Sequence, residues 1–218
     1  MFDLQLIELP KLEQINREGY YRTYRTPEGN CYPSVTSVLS QGEDNAWYHE
    51  WVARVGQAEA DAISTKATKR GSRIHKYCED YLRDLPINYY NILDRIAFES
   101  ILPAINRIST VYAIEAQLYS DKLRAAGTVD LIAKFDGEVS IVDWKTSKWS
   151  KRPSEITSYY LQCAAYAYMF YERTGITVVN IVIAMAVDND YPLVYMESVV
   201  DWLPKFIEKR KSFTLIKK

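Results

Sequence analysis

One stretch of the sequence, Gly127 to Lys145, decides the fold and reads GTVDLIAKFDGEVSIVDWK. Its alternation of apolar and polar residues predicts two β-strands, and the Asp136-Gly137 pair between them is typical of a two-residue hairpin loop. A loop of that length fixes the register of the hairpin, with Phe135 facing Glu138. We therefore expect an antiparallel pair of strands whose facing positions can be counted outward from the loop.

Counted outward, this register places two carboxylates, Asp130 and Asp143, directly opposite each other on one face of the sheet. Like charges at that separation destabilise a sheet. A divalent cation between them would compensate, because hard cations such as Mg²⁺ bind carboxylate oxygens. Lys145 shares this face, opposite Thr128, and its ammonium group suits an anionic substrate such as a phosphate. The alternative is a solvated sheet face that carries these charges by chance.

The surrounding sequence predicts a third strand before the hairpin, over Thr110–Tyr119. If Asp121-Lys122 formed a two-residue turn, Glu115 would face Thr128. Further strands are predicted over Tyr20–Thr26, from Cys31, over Ile176–Val187 and over Leu193–Ser198. Helices are predicted over Asn45–Arg83 in two or three pieces, Tyr89–Ile108 with a bend or break at Pro103, Ser154–Arg173 and Asp201–Lys211. This order predicts an α/β or α+β protein with a mixed sheet flanked by helices.

Length and composition are those of a globular protein. The chain has 218 residues, of which 48% are hydrophobic and 25% charged, and it contains no apolar run long enough to span a membrane. We expect a single domain over residues 1–218, with an N-terminal hairpin and helical part over 1–108 and the sheet core and closing helices over 109–218. The first ten residues resemble neither a secretory signal nor a mitochondrial presequence, so a cytoplasmic protein is expected.

Charge and cysteine content exclude some classes of protein. Lys and Arg sum to 27 and Asp and Glu to 28, which excludes a protein that grips duplex DNA with its whole surface but allows a local basic patch. The 3 cysteines are far apart and form no CxxC motif, so we expect no iron–sulfur cluster. No GxxxxGK[ST] sequence occurs, so we expect neither a helicase motor nor a nucleotide cofactor.

Several short motifs, taken in order, resemble the PD-(D/E)XK nuclease superfamily. Asp130 in GTVD is followed after the hairpin by Asp143-Trp144-Lys145-Thr146. Gly71–His75 resembles the GxxxH motif of the RecB-type branch, and Glu115 supplies an acid on the strand before Asp130. Gln162–Tyr166 resembles the QxxxY motif on the helix that follows the lysine strand.

A segment nearer the N-terminus, Tyr32–Leu39, contains PSVT and is similar to relatives of the mitochondrial genome maintenance exonucleases, phage and bacterial ones among them. The resemblance implies a restriction-endonuclease-like core and a DNA exonuclease that uses one or two Mg²⁺ or Mn²⁺ ions and favours single-stranded ends. It also implies a role in DNA repair or recombination, in the host cytoplasm if the chain is phage-encoded. The alternatives are a structure-specific or flap endonuclease and a nucleic-acid-binding module without catalysis. Whether a helicase or recombination protein delivers the DNA is left open.

The resemblance also implies roles for individual residues. Asp130, Asp143 and the backbone carbonyl of Trp144 would ligate the metal, and Lys145 would orient the attacking water or stabilise charge on the phosphorane. His75 is expected to face inward, either as a ligand of the same metal or as a hydrogen-bonded core residue.

Three other residues carry two interpretations each. Glu115 is either a metal ligand, direct or through water, or a carboxylate at a strand edge. Gln162 and Tyr166 share one helix face, where they contact the substrate phosphate or a nucleotide, or where Tyr166 packs in the core.

A stripe of basic residues before His75 is either a track for a phosphate backbone or a solvated helix face. Ser34 either caps the following helix or contacts a phosphate. The candidate DNA-binding residues are Lys66, Lys69, Arg70, Arg73 and Lys76 in the stripe, Lys148, Lys151 and Arg152 after the Lys145 strand, and Ser34.

Overall fold

The computed structural model describes residues 2–42 and 46–214, apart from the side chain of Trp47. Its strands are β1 (Asp3–Leu4), β2 (Glu13–Ile15), β3 (Thr23–Arg25), β4 (Cys31–Pro33), β5 (Ile108–Ser120), β6 (Ala125–Phe135), β7 (Glu138–Ser147), β8 (Asn180–Val187) and β9 (Leu193–Ser198). Its helices are α1 (Val35–Ser40), α2 (Ala46–Val55), α3 (Gln57–Leu82), α4 (Ile92–Ile105), α5 (Thr157–Thr174) and α6 (Val199–Ser212), with a short 3-10 helix at Pro153–Glu155. Asn45, where a helix was predicted to begin, lies outside the described residues.

The described residues form a six-stranded mixed sheet in the order β1-β5-β6-β7-β8-β9. β1 pairs in parallel with β5 and β7 with β8, whereas the other neighbours are antiparallel. Parallel β7 and β8 need a crossover connection, and α5 provides it. A second, small antiparallel sheet joins β2, β3 and β4. The predicted mixed α/β architecture is confirmed.

The hairpin of β6 and β7 has the predicted loop and register. Asp136 and Gly137 both have positive φ, 50° and 88°, as a two-residue type I′ turn requires. Phe135 faces Glu138, and the ladder continues to Leu131 and Val142. It ends there, one step before Asp130 and Asp143. The two acidic residues therefore lie just beyond the last pair of the β6–β7 ladder.

The prediction for the turn between β5 and β6 was wrong. Asp121–Arg124 forms a four-residue loop, and Gln117, rather than Glu115, faces Thr128. The Asp121-Lys122 pair lacks the glycine of a tight hairpin turn. Instead, Arg124 takes a φ of 49°, and the Leu123 N–H donates to Ser120 Oγ at 2.9 Å. The register between β5 and β6 therefore differs by two residues from the predicted one, so Glu115 faces a different position of β6.

With this register, Glu115 lies level with Asp130. Ile114 faces Leu131 and Ala116 faces Val129, so the intervening residues Glu115 and Asp130 come to the same level of the sheet. The longer loop thus brings the acid of β5 closer to the acid of β6 than the two-residue turn would have done.

Apolar side chains cover both faces of the larger sheet. On one face, α3 and α4 pack on β6 and β7, with Phe98 and Val142 in the same buried cluster. On the other face, α5 and α6 pack on the sheet, with Phe170 and Ile141 in a second cluster. Ile141 and Val142 are adjacent in β7 and serve opposite faces, as strand geometry requires. Both faces are therefore buried, which explains the nearly continuous apolar runs of β6 to β8.

The helices follow the sequence pattern closely. The predicted break in the long helical segment occurs at Gly56, whose φ of 87° separates α2 from α3. Gly175 ends α5 in the left-handed conformation, with φ of 76°, as expected of a helix stop. Pro103 lies in the last turn of α4 without ending it.

The N-terminal part contributes to the larger sheet. β1 pairs with β5, and α3 and α4 of residues 1–108 cover one face of it. Sequence reasoning missed β1 and β2, which are too short to show a period, and gave no bounds for α1. Within the described residues, no helix is both long and apolar enough to cross a membrane.

Gly137→Ala should destabilise the protein by about 1–2 kcal/mol, because a side chain at positive φ clashes with the backbone. Urea unfolding would measure the change. Gly71→Ala is the matched control, since Gly71 is helical and its Cβ would meet only Thr146 Oγ1 at 3.9 Å. That control should be neutral or stabilise by up to about 1 kcal/mol. Equal stability of the two variants would contradict the type I′ turn.

Candidate active site

Three possible metal ligands converge from three different elements. His75 of α3, Glu115 of β5 and Asp130 of β6 place one ligand atom each within 4.8 Å of one another. His75 Nδ1 lies 3.4 Å from Asp130 Oδ2 and 3.7 Å from Glu115 Oε1. These separations are longer than ordinary hydrogen bonds. The sequence motifs, 55 positions apart from His75 to Asp130, thus meet at one point of the fold.

Glu115 reaches this point through an unusual backbone conformation. Its φ is 48°, in the left-handed region that non-glycine residues seldom adopt. Such a conformation costs about 1–3 kcal/mol and persists only where the surroundings hold it. The strand therefore turns the Glu115 carboxylate toward His75 at a local cost in free energy.

Asp130 is stabilised as a carboxylate. Burial would raise its pKa, but His75, the charge of Lys145 and a 3.0 Å hydrogen bond donated by the Trp144 N–H together hold the pKa of Asp130 below its usual value. Asp130 therefore reaches across to the backbone of β7 just beyond the last β6–β7 pair. An ionised acid at this position can bind a cation.

Asp143 and Lys145 form a buried ion pair on β7. The Asp143 carboxylate is 3% exposed, and Lys145 Nζ contacts its Oδ2. Burial raises the pKa of Asp143 to about 6 against the opposing effect of Lys145, with the nearby Asp130 adding to the rise. The same carboxylates outweigh burial at Lys145 and raise the pKa of its ammonium. Lys145 also lies over the ring of Tyr159, 4.8 Å from the centroid.

The Asp143 carboxylate is therefore engaged with Lys145, whereas the cluster of His75, Glu115 and Asp130 lies beside that pair. Sequence reasoning had placed Asp143, Asp130 and the Trp144 carbonyl as the first metal ligands. In the structure, Glu115 joins Asp130 and His75 in one group of possible ligands, and Asp143 lies beside it.

The chemistry of the cluster fits a divalent cation. Ligand atoms bound to one small ion at about 2.1 Å are roughly 3–4 Å apart, which is the spacing of His75 Nδ1 from the two carboxylates. Although burial lowers it, the facing carboxylates raise the pKa of His75 to about 10. Two acids thus concentrate negative charge that needs a cation, and His75 can supply a neutral nitrogen ligand when an ion replaces its proton.

Gln162 and Tyr166 lie together on α5, as predicted. Gln162 Nε2 is 3.5 Å from the Tyr166 hydroxyl, and burial raises the pKa of Tyr166, with Asp130 and Asp143 adding to the rise. A Cβ at Gly127 would lie 2.7 Å from the Tyr166 hydroxyl, so only glycine leaves room for this ring. Tyr166 is a core residue by burial, and its hydroxyl lies in the electric field of the acidic residues.

The basic stripe on α3 is partly occupied by structural contacts. The Arg70 guanidinium binds Asp188 at 2.6 Å and approaches Asp94, and Arg73 binds Asp94 at 2.5 Å. Asp94 is 2% exposed, so these pairs compensate a buried charge. Lys76 pairs with acids one turn away on its own helix. Arg70, Arg73 and Lys76 therefore each have an acidic partner within the protein, whereas Lys66 and Lys69 are exposed.

The stripe also faces away from the site. On a helix with about 100° per residue, Arg73 is roughly 160° from His75. The sequence spacing showed that the stripe shares one face, but sequence proximity to His75 was a poor guide to its direction.

The other predicted DNA contacts differ in exposure. Lys148 is exposed and lies 5.4 Å from the centroid of the Trp149 ring. Arg152 is exposed and pairs with Glu155, and Lys151 is half-buried. Ser34 caps α1 by accepting the Ser37 N–H at 3.0 Å and is buried, so the capping interpretation is confirmed and the phosphate contact is corrected.

A groove of about 470 Å³ opens beside the cluster and was not foreseen. Glu115, Gln117 and Thr128 line it from the sheet, and the exposed Lys11 lines it from the N-terminal segment. Lys11 belongs to no sequence motif, so the sequence did not identify it. It reaches the groove because residues 6–11 run over β5. The groove provides space for a substrate next to the Glu115 carboxylate.

Comparison with known proteins shows which family the sequence resembles. The sequence model of the PD-(D/E)XK nuclease superfamily matches residues 92–185, which contain Glu115, Asp130, Asp143 and Lys145. The resemblance to PD-(D/E)XK nucleases is confirmed. The matched region extends from α4 to β8 and so includes the central strands of the sheet.

Individual relatives of these nucleases are also similar to the chain. Mitochondrial genome maintenance exonuclease 1 from Homo sapiens is 27% identical over 132 residues, and its counterpart from Mus musculus is 27% identical over 138 residues. Each match covers 56% of this chain but only 38% and 39% of the relatives' length. A crystal structure of a candidate exonuclease from Eubacterium rectale covers 66% of this chain and 63% of its own, with TM-score 0.45 and 17% identity.

His75→Ala should weaken Mn²⁺ binding by at least about tenfold, because a ligand of the cluster is lost. Isothermal titration calorimetry with Mn²⁺ would measure the affinity without any nucleic acid. His49→Ala is the matched control, since His49 is exposed on α2. Unchanged Mn²⁺ affinity in His75→Ala would show that the cluster does not bind the ion.

Arg73→Ala should destabilise the protein by about 1–3 kcal/mol, because it removes a partner of the buried Asp94. Lys69→Ala, one turn away and exposed, should change stability by less than about 0.5 kcal/mol. Denaturant unfolding of both variants would make the comparison. If Arg73→Ala were as stable as the parent chain but bound DNA more weakly, Arg73 would be a DNA-binding residue rather than a structural one.

Proposed function

We propose that this chain is a Mg²⁺- or Mn²⁺-dependent DNA exonuclease that hydrolyses phosphodiester bonds and favours single-stranded ends. The observation that carries the proposal is the convergence of His75, Glu115 and Asp130 beside the buried Asp143–Lys145 pair. The match to PD-(D/E)XK nucleases supports nuclease chemistry, and the relatives named as exonucleases support action on ends.

The cluster would hold the metal ion through the imidazole of His75 and the carboxylates of Glu115 and Asp130. A divalent ion supplies a Lewis acid for a phosphoryl oxygen and a lowered pKa for bound water. The protein's own part is to keep Asp130 ionised through the Trp144 N–H and to hold the Glu115 carboxylate in its left-handed backbone conformation.

Lys145 would stabilise the negative charge that develops on the phosphorane. Its ammonium is largely buried, and Asp143 and the face of Tyr159 hold it in place. A charge fixed in a site with little water acts more strongly on a transition state than a solvated one. Asp143 thereby orients Lys145, and Gln162, which lies beside the hydroxyl of the buried Tyr166, would contact the substrate from α5.

A binding module without catalysis would have little use for this arrangement. Buried charges lower the stability of a fold unless they are paired, and apolar residues of similar volume are often at least as stable. The site nevertheless concentrates Asp130, Asp143, Lys145 and His75 in the interior. We propose DNA repair or recombination as the setting, in which a helicase or recombination protein delivers the DNA.

Lys145→Ala should reduce cleavage of end-labelled single-stranded DNA by at least about 10²-fold, because the charge that stabilises the phosphorane is lost. A gel time course with Mg²⁺ or Mn²⁺ would measure it, with EDTA expected to stop the reaction. Lys122→Ala, in the exposed loop between β5 and β6, is the matched control and should cleave like the parent chain.

The products of the same time course distinguish the modes of action. Stepwise shortening from one end supports the exonuclease, whereas a single internal cut in a forked substrate would support a flap endonuclease. Metal-independent cleavage, or cleavage retained in Lys145→Ala, would overturn the proposed mechanism. DNA binding without cleavage on any substrate would favour the non-catalytic module.

A further inference from the structure

Trp149 is the most exposed tryptophan among those whose side chains the structure describes. Its indole is 71% exposed, whereas Trp144 is buried and Trp202 is half-buried, with its ring nitrogen donating to Glu197. A large aromatic side chain in water forgoes the free energy of burial. Exposed rings are common on flexible loops. The significance of this one therefore depends on whether the backbone of its loop is held in place.

The loop that carries Trp149 is fixed by hydrogen bonds on both sides of the ring. Ser147 Oγ donates to the Trp149 carbonyl at 2.6 Å, and Ser150 Oγ donates to Asp190. Tyr195 of β9 donates its hydroxyl hydrogen to the Lys151 carbonyl. The backbone of the loop is thus held while the indole projects into solvent, so the ring is presented in one place at little further cost in entropy.

The position of the loop relates Trp149 to the candidate active site. Lys145 lies four residues earlier on the same chain, and the carboxyl ends of parallel strands β7 and β8 meet at this edge of the sheet. Asp190 binds Ser150 and also accepts the Tyr191 N–H at 2.8 Å, which joins the β8–β9 loop to the Trp149 loop. Tyr191 is 85% exposed. Two exposed aromatic residues therefore flank one hydrogen-bonded junction beside the catalytic strand.

One unpaired cation beside the indole suits an anionic ligand. Of the acids at this junction, Asp188 is paired with Arg70, and Asp190 accepts a hydrogen bond from Ser150. Lys148 lies 5.4 Å from the centre of the Trp149 ring, and no carboxylate of the described residues pairs with it. An aromatic face next to an unpaired cation suits a nucleotide, which offers a base for stacking and a phosphate for the ammonium.

We propose that Trp149 is a stacking platform for one base of a single-stranded DNA substrate, with Lys148 at the adjacent phosphate and Tyr191 as a second aromatic contact. This inference rests on the proposed nuclease function and assigns a binding subsite to it. Single-stranded DNA is the occupant that fits, because its bases are free to stack, whereas a duplex hides the faces of its bases. Trp149 and Tyr191 then position the strand and take no part in bond cleavage.

The test compares Trp149→Ala with the parent chain on a short fluorescent single-stranded oligonucleotide. Binding is measured by anisotropy in EDTA, and steady-state cleavage is measured with Mg²⁺. We expect the dissociation constant and KM to rise about tenfold, the loss of one stacked base, while kcat changes less than about twofold. Tyr171→Ala is the matched control, because Tyr171 is a half-exposed aromatic residue on α5.

Two further measurements separate stacking from charge. Trp149→Ala should leave the salt dependence of binding unchanged, whereas Lys148→Ala should lower its logarithmic slope by about 0.7. An oligonucleotide with one abasic position should lose the Trp149→Ala effect when that position lies at the platform. Trp149→Phe should retain most of the affinity, since it keeps an aromatic face.

The outcomes distinguish this inference from the function on which it rests. Cleavage by the parent chain with unchanged KM and affinity in Trp149→Ala would overturn the platform and leave the nuclease standing. Binding without cleavage, with the tenfold effect present, would keep the platform and overturn the nuclease. A parent chain that neither binds nor cleaves single-stranded DNA would overturn both. A dimer in light scattering that Trp149→Ala converts to a monomer would assign the exposed ring to a second copy of the chain instead.

Discussion

The structure depends on how it accommodates two carboxylates, Asp130 and Asp143, in the middle of a buried sheet. A buried charge is costly unless it is paired or hydrogen-bonded. The protein compensates the two acids differently: Asp130 receives the Trp144 N–H and faces His75, whereas Asp143 is paired with Lys145. The two pKa values therefore differ: His75, Lys145 and the Trp144 N–H outweigh burial and lower that of Asp130, whereas burial outweighs Lys145 and raises that of Asp143 to about 6. The two acids thus differ in their partners, although they lie next to each other at the end of the β6–β7 ladder.

The elements around the acids are shaped by the same need. α3 crosses the sheet where it can present His75 to the acids of β5 and β6. Glu115 accepts an unfavourable φ so that its carboxylate joins the cluster. Gly127 lacks the Cβ that would exclude Tyr166. A strained backbone and a glycine thus occur where side chains of neighbouring elements must converge. This is expected where a functional site lowers the stability of the fold.

The sequence predicted the parts of this arrangement that follow from local rules. The Asp136-Gly137 loop fixed the β6–β7 register, and hydrophobic periodicity located α3 to α6 within a few residues. The loop after β5 escaped prediction because Asp121–Arg124 has no glycine to mark its length. The ion pairs of Asp94 were not predicted either. A single acid in an apolar helix gives no sign that two arginines of α3 will neutralise it. Pairings between distant elements decide which charges are free, and no local pattern records them.

The pairing of basic residues with acids of the protein affects how DNA could be bound. The chain carries a net charge of −1, and Arg70, Arg73 and Lys76 are committed to acidic residues of the protein. Fewer cations are then left for phosphate contacts, which would weaken the salt-dependent part of binding. Stacking on exposed aromatic rings adds affinity that does not depend on the release of counterions. Because only unpaired bases can stack in this way, the proposed contact at Trp149 suits single strands rather than a duplex.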